Sequence, residues 1–583
     1  MMEKYYTTER NAQIVIALMK AHGVKKVIAS PGTTNIALVA SLQQDSFFEM
    51  YSAPDERSAA YMACGLAAET GEAVALSCTG ATASRNYMPA LTEAYYRKLP
   101  ILAITSTQHT GRIANHYPQV IDRSILPKDI ARLSVQLPVI HDVEDKWACE
   151  ILTNRALLEL RRAGGGPVHI NLTTTYSKDF SIKELPPVCV VNRVCHDGAR
   201  PEIPAGKVAV LVGAHQKWSE ELTAALDEFC AAHDAVVFCD QTSNYPGKFR
   251  VLYSLACSQL EGSRRENLPD LLIHIGEISG DYPLNRLASH AEVWRVSPDG
   301  EICDPFHRLR YVFEMNELDF FKCYTGERSS ACGAYLAKCK KHLNELYAGI
   351  PDLPFSNIWV ASRMAAKIPD GAVLHLGILN SLRSWNLFET PVSVLGYSNT
   401  GGFGIDGCMS SLLGASFANR EKLYFGVFGD LAFFYDMNSL GNRHVGPNVR
   451  ILLINNGKGT EFRNFTHHGN AFGDAADCYI AAGGHYGNKS PELVRHYAQD
   501  LGFEYLSASS KEEFEAVYEH FLTPEVTSTP MLFEVFTDSR DESDALECIM
   551  YIEKTAEGKA KALIKQFLGE KGIHTVKNIL GKQ

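Results

Sequence analysis

No run of eighteen apolar residues occurs anywhere in the 583-residue chain, so no membrane-spanning helix is expected. The first residues, MMEKYYTTERNAQ, lack the apolar core of a signal peptide, and the expected compartment is the cytoplasm. The 15 cysteines are odd in number and scattered, without a CxxC pair. That pattern fits reduced thiols better than a disulfide framework or a zinc site, with Cys64 and Cys408 expected as small core side chains. Positive charge is in deficit: the formal net charge is −11, which argues against nucleic acid as the main partner. The turn Gly213-Ala214-His215 lacks the GxGxxG spacing of a dinucleotide site, and a structural role is the better reading. No helical pattern is long or polar enough for a coiled coil. What is present, 46% hydrophobic and 21% charged residues, describes a globular protein with a large core. The length implies two to four domains.

Helical and strand patterns alternate along the chain. In the first part, helical spacing at 11–22, 35–43, 57–69 and 86–98 separates apolar strands at 25–29, 48–52, 73–77 and 101–104. A proline-containing stretch at 184–187 precedes a second unit with strands at 208–212, 235–238, 271–275 and 292–296. A third begins near Asn357, with a helix at 358–366, a strand at 372–376 and a glycine-rich segment at 399–407. The expected fold is α/β, three doubly wound parallel-sheet domains at 1–187, 188–345 and 346–583. The last domain would end in a charged, Lys-rich helical tail.

The stretch FGDLAFFYDMNSLGNRHVGPNVRILLINNGKGTEF, 428–462, carries the most chemistry. One strand stops at Gly429-Asp430 and a second at Asn455-Asn456-Gly457, separated by one crossover, so two oxygen side chains stand at the carboxyl ends of neighbouring strands. A carboxylate, an amide oxygen and a nearby backbone carbonyl suit an octahedral Mg²⁺ that also holds a diphosphate. A βαβ unit with polar turns would look the same. At the front, Ser30-Pro31-Gly32, Asp55-Glu56 and Cys78-Thr79-Gly80 each end a strand, and three loops on one sheet edge make a pocket by topology. Capping alone would account for Glu56.

This ordered set resembles the thiamine diphosphate-dependent 2-oxo acid decarboxylase and carboligase superfamily. The likeness rests on Ser30-Pro31-Gly32, Asp55-Glu56-Arg57, Thr79-Gly80 with Asn86, Gln119, and the paired Gly429-Asp430 and Asn455-Asn456. It implies a pyrimidine-binding domain at the front, a central domain and a diphosphate-binding domain at the back. By resemblance, Pro31, Gly32, Thr79, Gly80 and Asn86 border the cofactor, together with Asn380, Ser381 and Gly404. Glu56 would hydrogen-bond the aminopyrimidine, a role that needs a shielded carboxyl. Asp430, Asn456 and the carbonyl of Lys458 would hold Mg²⁺, with Gly429, Leu431, Ala432, Gly459 and Thr460 around the diphosphate. Ile405 falls where the superfamily places an apolar wedge under the thiazolium.

Gln119 and His116 are the candidates for catalysis beside Glu56, with His467-His468 and Glu461 as further polar neighbours. A narrower likeness, in Asn380-Ser381-Leu382 and Gly404-Ile405-Asp406-Gly407, is to the SEPHCHC synthases of menaquinone biosynthesis. Where those enzymes carry substrate-binding arginines, this chain has Thr34, Gln108, Trp385 and Thr400, and a guanidinium fork is poorly replaced by Thr or Trp. Arg383 would compensate in part, and Trp385 either walls the pocket or packs on the sheet.

The resemblance implies a transferase or lyase that decarboxylates a small 2-oxo acid such as pyruvate. The acyl anion equivalent would pass to a carbonyl acceptor. Simple decarboxylation to an aldehyde is the alternative, and a non-catalytic cofactor-binding homologue a second one. It further implies a homodimer or homotetramer, with no nucleic acid or membrane partner.

Overall fold

The computed structural model describes residues 5–123, 125–260, 265–485 and 489–553. Parallel strands need crossover connections, and each crossover helix buries its apolar face on the sheet it spans. The chain accordingly forms parallel sheets flanked by helices, in two compact units: Met1–Arg200 with Asp299–Glu314, and Pro201–Pro298 with Met315–Gln583.

In the first unit, β1 (Lys26–Ala29), β2 (Glu49–Ser52), β3 (Val74–Thr79), β4 (Ile101–Thr107), β5 (Ser134–Leu137) and β6 (Val168–Thr173) form one sheet in the order β2-β1-β3-β4-β6-β5. All its pairings are parallel. Lys26 lies opposite Val74, so Ala29 is level with Ser77 and the loops after β1 and β3 leave the same edge. From β1 the chain moves outward to β2 and returns to β3 on the other flank of β1. That reversal is the switch point at which open parallel sheets form a binding crevice. One face is covered by the helix Arg10–Ala21, whose Ile14, Val15 and Leu18 join the strand core. The other is covered by Glu56–Thr70, where buried Ala59, Ala60, Ala63 and Ala67 let the helix lie close.

The single helix expected at 86–98 is two helices, Thr82–Asn86 and Met88–Tyr96. Pro89 is the reason, because a residue without an N–H fits only the first turn, so a new helix starts just before it. Farther on, β7 (Asn192–Cys195) pairs in parallel with β13 (Leu309–Glu314).

The second unit holds β8 (Val208–Val212), β9 (Val236–Cys239), β10 (Arg250–Leu252), β11 (Leu271–Ile275) and β12 (Glu292–Ser297), ordered β10-β9-β8-β11-β12 and parallel. The turn after β8 is structural: His215 stacks on Trp218 with ring centroids 4.3 Å apart, and its Nε2 meets Glu317 at 2.8 Å. The unit's other sheet contains β14 (Val373–Leu376), β15 (Leu395–Ser398), β16 (Tyr424–Gly429), β17 (Val449–Asn455), β18 (Glu504–Ala508) and β19 (Met531–Phe536), ordered β15-β14-β16-β17-β19-β18 and again all parallel. Every residue of β17 is buried: its apolar run at 451–454 suits a central strand covered on both faces, and the buried Arg450 donates to the Pro447 carbonyl and Thr527 Oγ1 at 2.7 Å each.

The three-sheet α/β fold expected from the alternation is therefore the fold observed. None of the cysteines is in a disulfide among the described residues, and Cys64 and Cys408 are buried. Among the same residues no helix is long and apolar enough to cross a membrane. The helix Ser539–Met550 is described, while the Lys-rich tail beyond it lies outside the described residues.

Candidate active site

In the last sheet the chain moves from β14 outward to β15 and returns as β16 on the other flank of β14, a second switch point. Loops at the carboxyl ends of β14, β16 and β17 there enclose a cavity of about 110 Å³. Of the residues singled out in the sequence, Asn380, Ser381, Ile405, Gly429, Asp430, Leu431, Ala432, Asn456, Lys458, Gly459 and Thr460 line it. Gly404 sits beside Ile405 in the loop that leads to the helix Cys408–Ser416. Ile405 is half-buried, one side packed on the core and the other in the cavity wall.

The oxygen donors here fit a hard cation. Asp430 opens the helix after β16 and is only 4% exposed. Burial pushes its carboxyl up to about 7, the mark of an acid whose ionised form wants a counter-charge. The Asn456 Oδ1 is buried and has no hydrogen-bond partner, although buried amide oxygens normally have one. Its neighbour Asn455 is committed elsewhere, donating from Nδ2 to Glu534 at 2.6 Å. The carbonyl of Lys458 accepts from the Thr460 N–H at 2.9 Å and keeps a second lone pair. The Lys458 ammonium is held by Asp477 at 2.7 Å. Thr460 Oγ1 is likewise buried without a partner. Carboxylate, amide and carbonyl oxygens thus gather at the strand ends with valences open, a donor set suited to Mg²⁺ and a diphosphate.

Among the wall residues that were not anticipated, Leu379, Asn357 and Glu542 stand out. Leu379 has φ 65° and ψ −117°, a conformation that costs a non-glycine residue about 1–3 kcal/mol and collects at functional sites. Asn357 and Glu542 close another side. Both Glu542 oxygens accept from the Asn357 N–H, at 2.9 and 3.1 Å, Thr537 Oγ1 donates to one of them at 2.8 Å, and burial pushes the carboxyl up to about 7. The available signal was position: Glu542 follows β19 in a helix's first turn, as Glu56 follows β2.

In the first unit Pro31 and Gly32 follow β1, Glu56 begins the helix after β2, and Thr79 and Gly80 end β3. The close approach is real, because a Cβ on Gly32 would come within 2.9 Å of the Thr79 Cβ. Gly80 is equally constrained: the buried Arg123 guanidinium donates to its carbonyl and to Asn171, leaving no room for a side chain. Asp55 caps the Glu56 helix, accepting from Arg57 N at 3.0 Å, which frees Glu56 from that task. Glu56 is half-buried, whereas Asn86 is exposed at the end of its short helix. His116 and Gln119 are exposed in the loop after β4, both with left-handed backbone, φ 58° and 65°. His467 caps a 3₁₀ segment, its Nδ1 accepting from Gly469 N at 2.9 Å.

Residues 10–126 match the family described as thiamine pyrophosphate enzyme, N-terminal TPP binding domain. The 2-succinyl-5-enolpyruvyl-6-hydroxy-3-cyclohexene-1-carboxylate (SEPHCHC) synthase of Phocaeicola vulgatus is 32% identical over 565 residues, 93% of this chain and 98% of the relative. The chain belongs to this family of thiamine pyrophosphate enzymes. Proteins of the same name from Bacteroides fragilis and Desulfotalea psychrophila are 31% and 27% identical, covering 93% and 89% of this chain and 98% and 96% of their own lengths.

Within the thiamine pyrophosphate fold, the positions compared above with substrate-binding arginines are neutral, and three are sealed. Thr34 is buried, its Oγ1 donating to Thr79 Oγ1 at 2.6 Å and to the Ser106 carbonyl at 2.7 Å. Trp385 is fully buried, with Nε1 3.3 Å from Asn357 Oδ1, so it packs instead of walling the cavity. Thr400 is 5% exposed, and Gln108 accepts from Arg112. Arg383 is engaged too: its two terminal nitrogens each donate to a Glu461 oxygen at 2.8 Å, and Nη1 also reaches Asn380 Oδ1 at 3.0 Å. Glu461 and Asn380 line the cavity, and Arg383 meets that wall through them.

Proposed function

We propose that the chain is a thiamine diphosphate- and Mg²⁺-dependent carboligase. Its donor is a small 2-oxo acid with a single carboxylate, pyruvate first among them, and it transfers the acyl anion equivalent to a carbonyl acceptor. The observation that carries the cofactor reading is the buried, partnerless Asn456 Oδ1 beside the burial-shifted Asp430 at a sheet switch point. In this reading Asp430, Asn456 and the Lys458 carbonyl hold Mg²⁺, and Ile405 supports the ring system from below. The bound cofactor supplies an electron sink for the carbon left by decarboxylation. Glu56 holds a proton on its carboxyl oxygen toward the aminopyrimidine, and the switch-point loops after β1 and β3 exclude water around it.

The donor assignment follows charge. A second carboxylate needs a fork of donors, and Arg383, which meets this wall through Glu461 and Asn380, is already saturated by Glu461. The relatives are named for a synthase, which favours ligation over simple release of an aldehyde. Self-association is part of the proposal. Tyr61 and Met62, on the helix that Glu56 begins, are 47% and 57% exposed, an apolar face suited to a second copy of this chain. A screen of 2-oxo acids for CO₂ release, with thiamine diphosphate and Mg²⁺, tests the chemistry and the donor together. Labelled pyruvate, alone and with aldehyde or keto acceptors, then separates ligase from decarboxylase by product. No turnover of any 2-oxo acid would overturn the proposal.

A further inference from the structure

The first unit contains a second cavity, of about 350 Å³, lined by Arg132, Arg155, Arg162 and Arg193. That volume falls in the range of small-molecule pockets, roughly 300–1,000 Å³, and exceeds what a bare ion needs. Four guanidinium groups at one concave wall repel one another unless anions offset them, so the partner of each matters. Arg162 and Arg193 share two carboxylates. Arg162 reaches Glu159 at 3.1 Å and Glu314 at 3.3 Å, and Arg193 reaches the same pair at 3.4 and 3.5 Å.

Among the described residues, Arg132 and Arg155 hydrogen-bond to backbone carbonyls alone. Arg132 Nη1 donates to the Gly165 carbonyl at 3.2 Å, and Arg155 donates twice to the Ile302 carbonyl, at 3.1 and 2.6 Å. Four positive charges therefore face three carboxylates, the paired Glu159 and Glu314 and the exposed Glu301, which leaves the wall with an excess of positive charge. Arg193 has a side chain only 7% exposed, and its Nε is buried without a hydrogen bond. Burial lowers its pKa, while Glu159 and Glu314 act in the opposite direction.

We propose that this cavity binds the phosphate group of a small phosphate monoester, with Arg132 and Arg155 as its principal donors. A tetrahedral phosphate anion answers the excess positive charge, and planar guanidinium forks are the side chains best shaped for phosphate oxygens. The arginines already tied to Glu159 and Glu314 form the rigid back wall, and the volume leaves room for the organic part of the ester.

Calorimetric titration of the full-length protein, saturated with thiamine diphosphate and Mg²⁺ so that the other anion site is filled, tests the inference. Glycerol 3-phosphate and inorganic phosphate are the probes, with chloride at matched ionic strength as control. The expected result is one saturable site per chain for glycerol 3-phosphate and about tenfold weaker binding in Arg132→Gln and in Arg155→Gln. Arg132 is exposed, so its substitution leaves folding intact, which a thermal melt verifies. Inorganic phosphate binding as tightly as the ester identifies the free ion as the ligand of the same site. No saturable binding at millimolar concentration, or binding that both substitutions leave unchanged, would overturn the proposal.

Discussion

Glu461→Gln is the perturbation that most sharply tests the proposal that the donor carries a single carboxylate. In the native structure both Glu461 oxygens are engaged by Arg383, at 2.8 Å each, with the two side chains only 18% and 24% exposed. The amide of Gln offers one acceptor and no charge, so Arg383 keeps its packing but regains an uncompensated positive charge behind the cavity wall. Hydrogen bonds to charged partners contribute about 1.5–3 kcal/mol in partly buried settings. A dicarboxylic 2-oxo acid should recover about that much in its transition state, while pyruvate recovers none. Since 1.4 kcal/mol is a factor of ten, the kcat/KM ratio of 2-oxoglutarate to pyruvate should rise by roughly 10–100-fold. The assay is CO₂ release from each acid at saturating cofactor and Mg²⁺. Stability should fall by about 1–3 kcal/mol, because a partly buried cation has lost its partner. A variant that folds and turns over, with an unchanged donor ratio, would refute the specificity argument and leave the cofactor assignment standing.

Other substitutions probe separate parts of the account. Glu56→Gln should slow hydrogen–deuterium exchange at the thiazolium C2 by at least about 100-fold, within the usual reach of a positioned acid–base group, while the cofactor stays bound. Exchange at the native rate would remove Glu56 from its role. Asn456→Ala removes one of the proposed metal ligands and should weaken Mg²⁺-dependent cofactor binding at least about tenfold, read as a smaller thermal shift at fixed ligand concentration. Leu379→Gly should stabilise the fold by about 1 kcal/mol, because glycine adopts φ 65° without strain, and should lower turnover if the strained loop shapes the cavity.

For pH, burial and then the Arg123 charge hold His169 down at about 3, with its ring nitrogens meeting Thr105 Oγ1 at 2.7 Å and Ser134 Oγ at 2.8 Å. A folded pKa below the unfolded 6.5 means full stability above 6.5 and loss as pH falls toward 3. The loss is on the order of 5 kcal/mol over that window, and His169→Gln should flatten the slope of stability against pH there.

The alternation of patterns foretold the three parallel sheets because parallel strands, covered on both faces, are dominated by apolar runs, as β17 is at 451–454. The lining of the cavity at the second switch point was legible for a related reason: Asp430 and Asn456 stand at strand ends where polar residues interrupt apolar runs. What sequence could not show depends on who partners whom. Nothing in the pattern says that Asn455 is spent on Glu534 while Asn456 is left open, or that Arg383 is saturated by a residue 78 positions away. Glu542 was hidden because it sits in a charged helix whose burial depends on Asn357, far back in the chain. The break at Tyr87 was readable from Pro89 and was overrun by an otherwise continuous helical pattern.

The central claim is that Asp430, Asn456 and Lys458 form a magnesium–diphosphate site. Calorimetric titration of thiamine diphosphate into the purified protein, with Mg²⁺ and then with the metal chelated, tests it most directly. The account predicts one saturable site per chain that requires Mg²⁺ and is lost in Asp430→Ala. Binding that ignores both the metal and that substitution, or no binding at all, would contradict it.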